Sequence, residues 1–338
     1  MIDVTVLFLE GGYISTAINA IEVFRSAGVM WNALGGGEPV ARFQVTSASP
    51  GGTAVQPDGP MTIAPERALE DVGRTDLIFV PASGADLQMM VDEGYNIETV
   101  IARNAHVVPW LREQADAGVQ IAAVCSGVAL VAEAGILDGR QGTMHWALAD
   151  IYGRRFPDVD WQPEYLVTDS GGIYCGGGVN SASDLSLYLV EKFCGRDVAV
   201  KCAQALLIEM PRVWQTAFAH LDVTARHDDA AIGRAQDWIH RHAAEGVRFD
   251  DLAVEIGMSP RNFIRRFKAA TGATPLAYLQ KLRIATAKRM LETGQSPIQE
   301  VSCRVGYEDL IFFRNLFKRH TGLSPGEYRR RFGARSLQ

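Results

Sequence analysis

The sequence predicts an α/β parallel-sheet sandwich over residues 1–210, followed by an all-α domain with two helix-turn-helix units over 229–338. A connection is expected at 211–228. Three observations predict this. Apolar strand-like runs alternate with helix-like runs as far as residue 210, the formal charge changes sign near residue 226, and a detailed 50-residue repeat fills the last third.

A chain of 338 residues is longer than one core usually serves, and 47% apolar residues suffice to bury two. Composition excludes a disordered chain, a collagen and a disulfide-stapled miniprotein. No apolar run is long enough to span a bilayer, so no membrane partner is expected. Met1-Ile2-Asp3-Val4 lacks a basic leader and does not read as a signal peptide. The five cysteines at 125, 175, 194, 202 and 303 form no CxxC pair, which fits a reducing cytoplasm. His240 and His242 stand two apart on a helix and point apart, and no HExxH or comparable ligand set exists, so no metal is expected; no cofactor is expected either.

In the first domain, Val4-Thr5-Val6-Leu7-Phe8-Leu9, Arg42 to Thr46, Asp76 to Pro81 and Gln120 to Val124 read as strands. Ala17 to Ala27, Val128 to Ala134, Leu185 to Phe193 and Val198 to Met210 read as helices, as does Val100 to Ala117 with a break at Pro109. Near-continuous apolar strands separated by helices imply a parallel sheet covered on both faces.

From 229 onward the pattern is helical. Ser259-Pro260, Thr274-Pro275, Ser296-Pro297 and Ser324-Pro325 each combine an N-cap hydroxyl with a proline that gives up no hydrogen bond. Ser296…Gln299 and Ser324…Glu327 have capping-box spacing. Gly246, Gly272, Gly294 and Gly322 sit where helices should stop. Phe267 and Phe317, Gly272 and Gly322, Pro275 and Pro325, and Tyr278 and Tyr328 are each 50 apart, so the segment is a duplicated unit.

Each unit reads as a short helix, a turn at Gly257 or Gly306, and a second helix. Phe263, Ile264 and Phe267 are expected inside the first unit, and Phe312, Phe313, Leu316 and Phe317 inside the second. Ser259, Arg261, Asn262, Arg265, Arg266 and Lys268, with Glu308, Asp309, Arg314, Asn315 and Lys318, are left to face a partner. Such a second helix enters a DNA major groove, where Arg suits guanine, Asn suits adenine and Lys suits phosphate. Residues 226–338 carry 20 Lys and Arg against 12 Asp and Glu, net +8, while the remainder carries net −14. Double-stranded DNA is therefore the expected partner of the basic third. The helix Leu276 to Thr293 would join the units, with Leu279, Leu282 and Met290 inward and Lys281, Arg283, Lys288 and Arg289 toward water or phosphate. Such a rod would set the heads about one helical turn of DNA, ~34 Å, apart.

Residues 229–338 resemble the DNA-binding domain of the AraC/XylS transcription regulators. Gly306-Tyr307-Glu308-Asp309, Phe313, Phe317-Lys318, Gly322, Ser324-Pro325 and Tyr328-Arg329 carry the likeness. Ile311 stands where serine is frequent, and Asn315 where arginine is frequent.

In the first domain, Ala122-Ala123-Val124-Cys125-Ser126-Gly127-Val128 places a cysteine at a strand-to-helix turn, the geometry of a nucleophile elbow. A helix N-terminus would favour its thiolate, and His145 would be the base. The alternative is a small core cysteine and a structural histidine. The run from Cys125 through Ala132 to Arg140 and on to His145-Trp146 resembles the PfpI-like branch of the glutamine-amidotransferase-like fold, whose sheet is flavodoxin-like. Together the two domains resemble the GlxA family of transcription regulators.

That resemblance implies a cytoplasmic regulator, an activator, that is a homodimer controlled by a small nitrogen-containing effector. Thr16 falls where enzymes of the superfamily often carry an acid, and the family's Pro-Gly-Gly loop reads Pro81-Ala82-Ser83-Gly84. Both departures argue against catalysis. Thr16, Ser83, Gly84, Cys125, Ser126, His145 and Trp146 are the expected effector-binding residues. A cysteine-dependent hydrolase or hydratase tethered to DNA is the alternative, and a purely dimerising first domain is a third.

Overall fold

The computed structural model describes residues 1–92, 94–210, 215–218 and 227–333. Most of the connection expected at 211–228 lies outside them. The chain divides into two compact units, Met1–Gln215 and Thr216–Gln338.

The first unit is built on β1 (Ile2–Leu7), β2 (Phe43–Ser49), β3 (Arg67–Ala68), β4 (Leu77–Val80), β5 (Gln120–Val124), β6 (Gln141–Gly142), β7 (Asp160–Trp161), β8 (Val167–Ser170) and β9 (Ile173–Gly176). Seven of these form one sheet in the order β3-β2-β1-β4-β5-β9-β8, and β6 pairs with β7 apart from it. All its pairings are parallel except that of edge strand β8 with β9. The β8–β9 hairpin, absent from the sequence reading, turns at Gly171 and Gly172, both with positive φ.

The helices are α1 (Ser15–Ser26), α2 (Met30–Gly35), α3 (Leu87–Asp92), α4 (Ile97–Arg103), α5 (Val108–Asp116), α6 (Val128–Glu133), α7 (Ala149–Arg155), α8 (Ser181–Cys194) and α9 (Arg196–Leu206). Successive strand residues serve opposite faces, both of them covered, which is why β1, β4 and β5 read as near-continuous apolar runs. Val4, Val6, Leu77, Phe79, Ala122 and Val124 pack with Phe24, Leu185, Leu189 and Ala199 of α1, α8 and α9. Leu7, Ile78, Val80, Ile121 and Ala123 pack with Val100, Leu111, Leu130 and Tyr152 of α4 to α7. The helix expected over 100–117 breaks at Asn104 and not at Pro109, which lies in the first turn of α5. The buried Asn104 side chain accepts from the Glu10 amide and donates to the Glu10 carbonyl, both at 3.0 Å, and so leaves the helical path.

The second unit contains α10 (Ala230–Arg241), α11 (Phe249–Glu255), α12 (Pro260–Thr271), α13 (Pro275–Thr293), α14 (Ile298–Arg304), α15 (Leu310–Thr321) and α16 (Pro325–Phe332). Ser259, Thr274 and Ser324 cap as their sequence suggests, the last in a full capping box. Ser296 does not. Pro297 occupies the N-cap position of α14, and the Ser296 hydroxyl bonds to the Glu300 carboxylate.

The repeat extends to atomic detail. Phe267 meets Tyr278 edge-on at 5.2 Å, and Phe317 meets Tyr328 edge-on at 5.4 Å. The Thr271 and Thr321 hydroxyls donate to the Phe267 and Phe317 carbonyls, each at 2.8 Å. Gly272 and Gly322 both close their helices at φ +74°. Ile264 and Phe312, expected inside, stand substantially exposed, because two aromatic rings per helix already fill each core.

Candidate nucleic-acid interface and effector pocket

α12 and α15 are the second helices of the two helix-turn-helix units. Arg261, Arg265 and Lys268 are exposed on α12, and Arg314, Asn315 and Lys318 on α15. Asn262 is half-buried and accepts a hydrogen bond from Arg265 at 2.9 Å. Ser259 caps α12 through the Asn262 amide. Glu308 is exposed just before α15.

Besides Ser259, two more expected partner-facing residues have other work. Arg266 forms a two-pronged ion pair with Asp229, at 2.8 and 2.9 Å. That carboxylate also caps α10, and the guanidinium beside it holds its pKa below the usual carboxylate value. Asp309 caps α15 by accepting from the Ile311 and Phe312 amides at 2.8 and 3.0 Å.

On α13, Lys281 and Arg289 are exposed as expected, but Arg283 and Lys288 are buried. Arg283 donates to the carbonyls of Ala243 and Glu245, both at 2.6 Å, and to that of Gly306 at 3.1 Å. It also lies 4.8 Å above the Tyr307 ring. One side chain therefore ties the turn of the second helix-turn-helix to the segment between α10 and α11, which precedes the first. Burial without these carbonyls would strand a charge; with them it makes a rigid joint. Burial lowers the Lys288 pKa, and its ammonium lies 5.4 Å from the Tyr328 ring centre.

In the first unit, Cys125 follows β5 at φ +53°, a strained conformation for a non-glycine residue and the expected elbow. The elbow is packed tightly. A Cβ on Gly127 would lie 2.1 Å from the Pro81 carbonyl oxygen, and one on Gly84, at φ +74°, would lie 2.3 Å from that of Val100. The seven expected effector residues divide here. Thr16, Ser83, Gly84 and Ser126 are buried. Thr16 donates to the Tyr13 carbonyl at 2.7 Å and accepts from the Ala82 amide at 3.0 Å. Ser126 donates to the Ser83 carbonyl and accepts from the Ser83 amide, at 2.8 and 3.0 Å. These side chains lock the loops after β1, β4 and β5 together and do not line an open crevice.

Cys125, His145 and Trp146 keep partial exposure. Burial pushes the Cys125 thiol up to about 11, although the Ser126 amide donates to its sulfur. Tyr95 and Tyr152, whose hydroxyls bond at 3.0 Å, lie close enough to feel its charge. Burial lowers the His145 pKa. Its Nδ1 accepts from the Ala147 amide at 3.2 Å, so the neutral ring carries its proton on Nε2. A separate concavity of about 790 Å³ opens beyond the ends of β1 and β4, lined in part by Glu10, Asp58, Asp86, Asp92 and Arg103.

Gln215 is a site residue that sequence reasoning missed, because it lies in the segment read as a connection. It is buried in the first unit. Its amide nitrogen donates to the Met144 and Tyr165 carbonyls at 2.8 and 3.0 Å and to the Thr143 hydroxyl at 3.2 Å. Its amide oxygen accepts from the Trp146 amide at 3.3 Å. Nothing in composition or period marks this glutamine.

Residues 13–192 match the DJ-1/PfpI family, more than half of the sequence. The chain belongs to the DJ-1/PfpI family. Residues 252–331 match a helix-turn-helix domain. This DJ-1/PfpI protein is 26% identical over 329 residues to the HTH-type transcriptional regulator CdhR of Pseudomonas aeruginosa, covering 97% of this chain and 91% of that protein. It is also 26% identical to the HTH-type transcriptional regulator GlxA of Rhizobium meliloti, covering 94% and 92%. A crystal structure of an AraC family transcriptional regulator from Pseudomonas putida matches with a TM-score of 0.50 at 20% identity, over 61% of this chain and 100% of that one, a likeness of fold. A DJ-1/PfpI domain joined to an AraC-type helix-turn-helix domain is the architecture of an HTH-type transcriptional regulator. Among the described residues, no helix is long and apolar enough to cross a membrane.

Proposed function

We propose that this DJ-1/PfpI protein is a sequence-specific regulator that holds double-stranded DNA with both recognition helices and responds to a small effector in its first unit. The observation that carries the DNA-binding reading is the duplication. Two units share caps, turns and edge-on aromatic pairs, and each leaves an equivalent cation-bearing helix face uncovered. Arg261, Arg265 and Lys268 are assigned to one sub-site, and Arg314, Asn315 and Lys318 to the other. Arg266 and Asp309 act as supports. Relatives spanning nearly the whole chain carry the name of transcriptional regulators, which favours the same reading.

The first unit is read as a sensor and not as an enzyme. A thiol held protonated is a poor nucleophile, and an imidazole that offers Nε2–H is a donor and not a base. Thr16, bound to backbone, offers no carboxylate. Cys125, His145 and Trp146 are the residues placed to touch an effector, and the family likeness favours a small nitrogen-containing one. Gln215, where the first unit ends, is assigned to carry the effector's signal onward along the chain. It grips the 143–146 loop and stands two residues before Ala217, which packs with Ile284 and Phe317 in the core of the second unit. Homodimerisation, a cytoplasmic location and a role as activator belong to the same reading.

Gel-shift assays of the full chain with genomic fragments test it. Selective retardation that weakens steeply with salt is expected, and equal affinity for every fragment would overturn it. Gln215→Ala is expected to leave DNA affinity within about twofold while abolishing its change with effector. An unchanged response would remove Gln215 from the coupling.

A further inference from the structure

The 50-residue period makes the two reading faces directly comparable. Arg261 corresponds to Ile311, Ile264 to Arg314, Arg265 to Asn315, and Lys268 to Lys318. Each set falls on one helical stripe, and all eight residues are exposed. The two faces thus carry the same isoleucine and arginine in interchanged positions. Ile311 leaves 71% of its surface uncovered and Ile264 46%. Neither core uses them, since Phe263 and Phe267, and Phe313 and Phe317, fill the space beneath. A branched apolar side chain amid exposed cations gains nothing from water.

Resting on the DNA-binding reading above, we propose that Ile264 and Ile311 are thymine readers, each packing on the C5-methyl group of one thymine in the major groove. That methyl is the apolar feature by which a base pair shows itself there, and apolar side chains select it. Ile311 lies in the first turn of α15, where a recognition helix reaches base edges. Its amide is held by the Asp309 cap, so the turn that presents it is fixed. The surroundings fit DNA better than an apolar protein groove. Arg314, Lys318 and Arg319 flank the same stretch, and a duplex gives each a guanine edge or a phosphate, whereas a hydrophobic partner would have to desolvate them. The interchange of arginine and isoleucine gives the two sub-sites different sequences, so one frame reads an asymmetric site.

The test uses the full-length protein. A bound duplex is first selected from a random library, and each thymine is then replaced singly by deoxyuridine, which lacks only the methyl. One position in each sub-site is expected to weaken binding about three- to fivefold, the scale of one buried methyl group. Ile311→Ala is expected to erase that penalty in one sub-site and Ile264→Ala in the other, with the salt dependence and melting temperature unchanged. An enriched site in which deoxyuridine is tolerated at every thymine, or a penalty that persists in both variants, would overturn the assignment and leave the regulator reading intact. Failure to enrich any sequence would overturn both.

Discussion

The first and second helix-turn-helix units have one frame and two faces. Ser259 and Asp309 cap equivalent helices, Gly257 and Gly306 turn with φ +76° and +87°, and the Phe–Tyr pairs meet within 0.2 Å of the same separation. The aromatic packing and the turns are repeated, and what differs is chiefly what points outward or braces one unit against the other. Arg266 pairs with Asp229 behind α12, whereas the matching residue of α15 is the buried Leu316. Gly306 receives Arg283 at its carbonyl. Among the described residues, a Cβ on Gly257 would meet nothing within 4 Å, so that turn has room where the other has none. Duplication preserved the packing that folds each unit and left its surface free to acquire separate specificity.

The largest expected effect comes from the joint between the units. Arg283→Met leaves the Ala243, Glu245 and Gly306 carbonyls without their donor and is expected to cost about 3 kcal/mol. Urea unfolding of the full chain, followed by hydrogen exchange across α10 to α16, checks it. A loss below about 1 kcal/mol would mean that the units do not depend on this side chain. The two turn glycines sharpen the comparison at intermediate scale. Gly257→Ala is expected to cost about 1 kcal/mol, for the left-handed backbone alone. Gly306→Ala should cost at least about twice that, because its Cβ would lie 2.7 Å from the Ala244 carbonyl oxygen and 2.8 Å from Arg283 Nη2. Equal losses in the same unfolding assay would remove the distinction.

The smallest effect is an acid sensitivity of α10 and α12. Arg266 depresses the folded pKa of Asp229, so its contribution is present above the ordinary carboxylate pKa of about 3.9 and is lost as pH falls through the lower folded value. Hydrogen exchange between pH 5 and 3 should therefore loosen α10 and α12 before α15, and Asp229→Asn should abolish the difference. Simultaneous loosening of both recognition helices would contradict this.

The sheet was legible because both of its faces are buried, so β1, β4 and β5 show near-continuous apolar runs. The caps at Ser259, Thr274 and Ser324 were legible because they need only neighbouring residues. What failed depended on distant partners. Asn104 breaks a helix by binding Glu10, 94 positions away. Arg283 and Lys288 look like surface cations until folding brings carbonyls and a tyrosine ring over them. Thr16, Ser83 and Ser126 were placed at the right end of the sheet, but their hydrogen bonds to neighbouring loops turn them inward. The Gly171-Gly172 hairpin is different: its signal, two glycines between short strands, is local.

The central claim is that α13 and its Arg283 joint hold both reading heads at one spacing. Measuring the affinity of the full chain for its selected site, with 5 or 10 base pairs inserted between the two sub-sites, tests it most directly. A rigid frame predicts that both insertions reduce binding to that of a single sub-site, the 10-base-pair one included, because restoring helical phase does not restore distance. Recovery of full affinity at 10 base pairs would show that the heads move independently and would contradict the account.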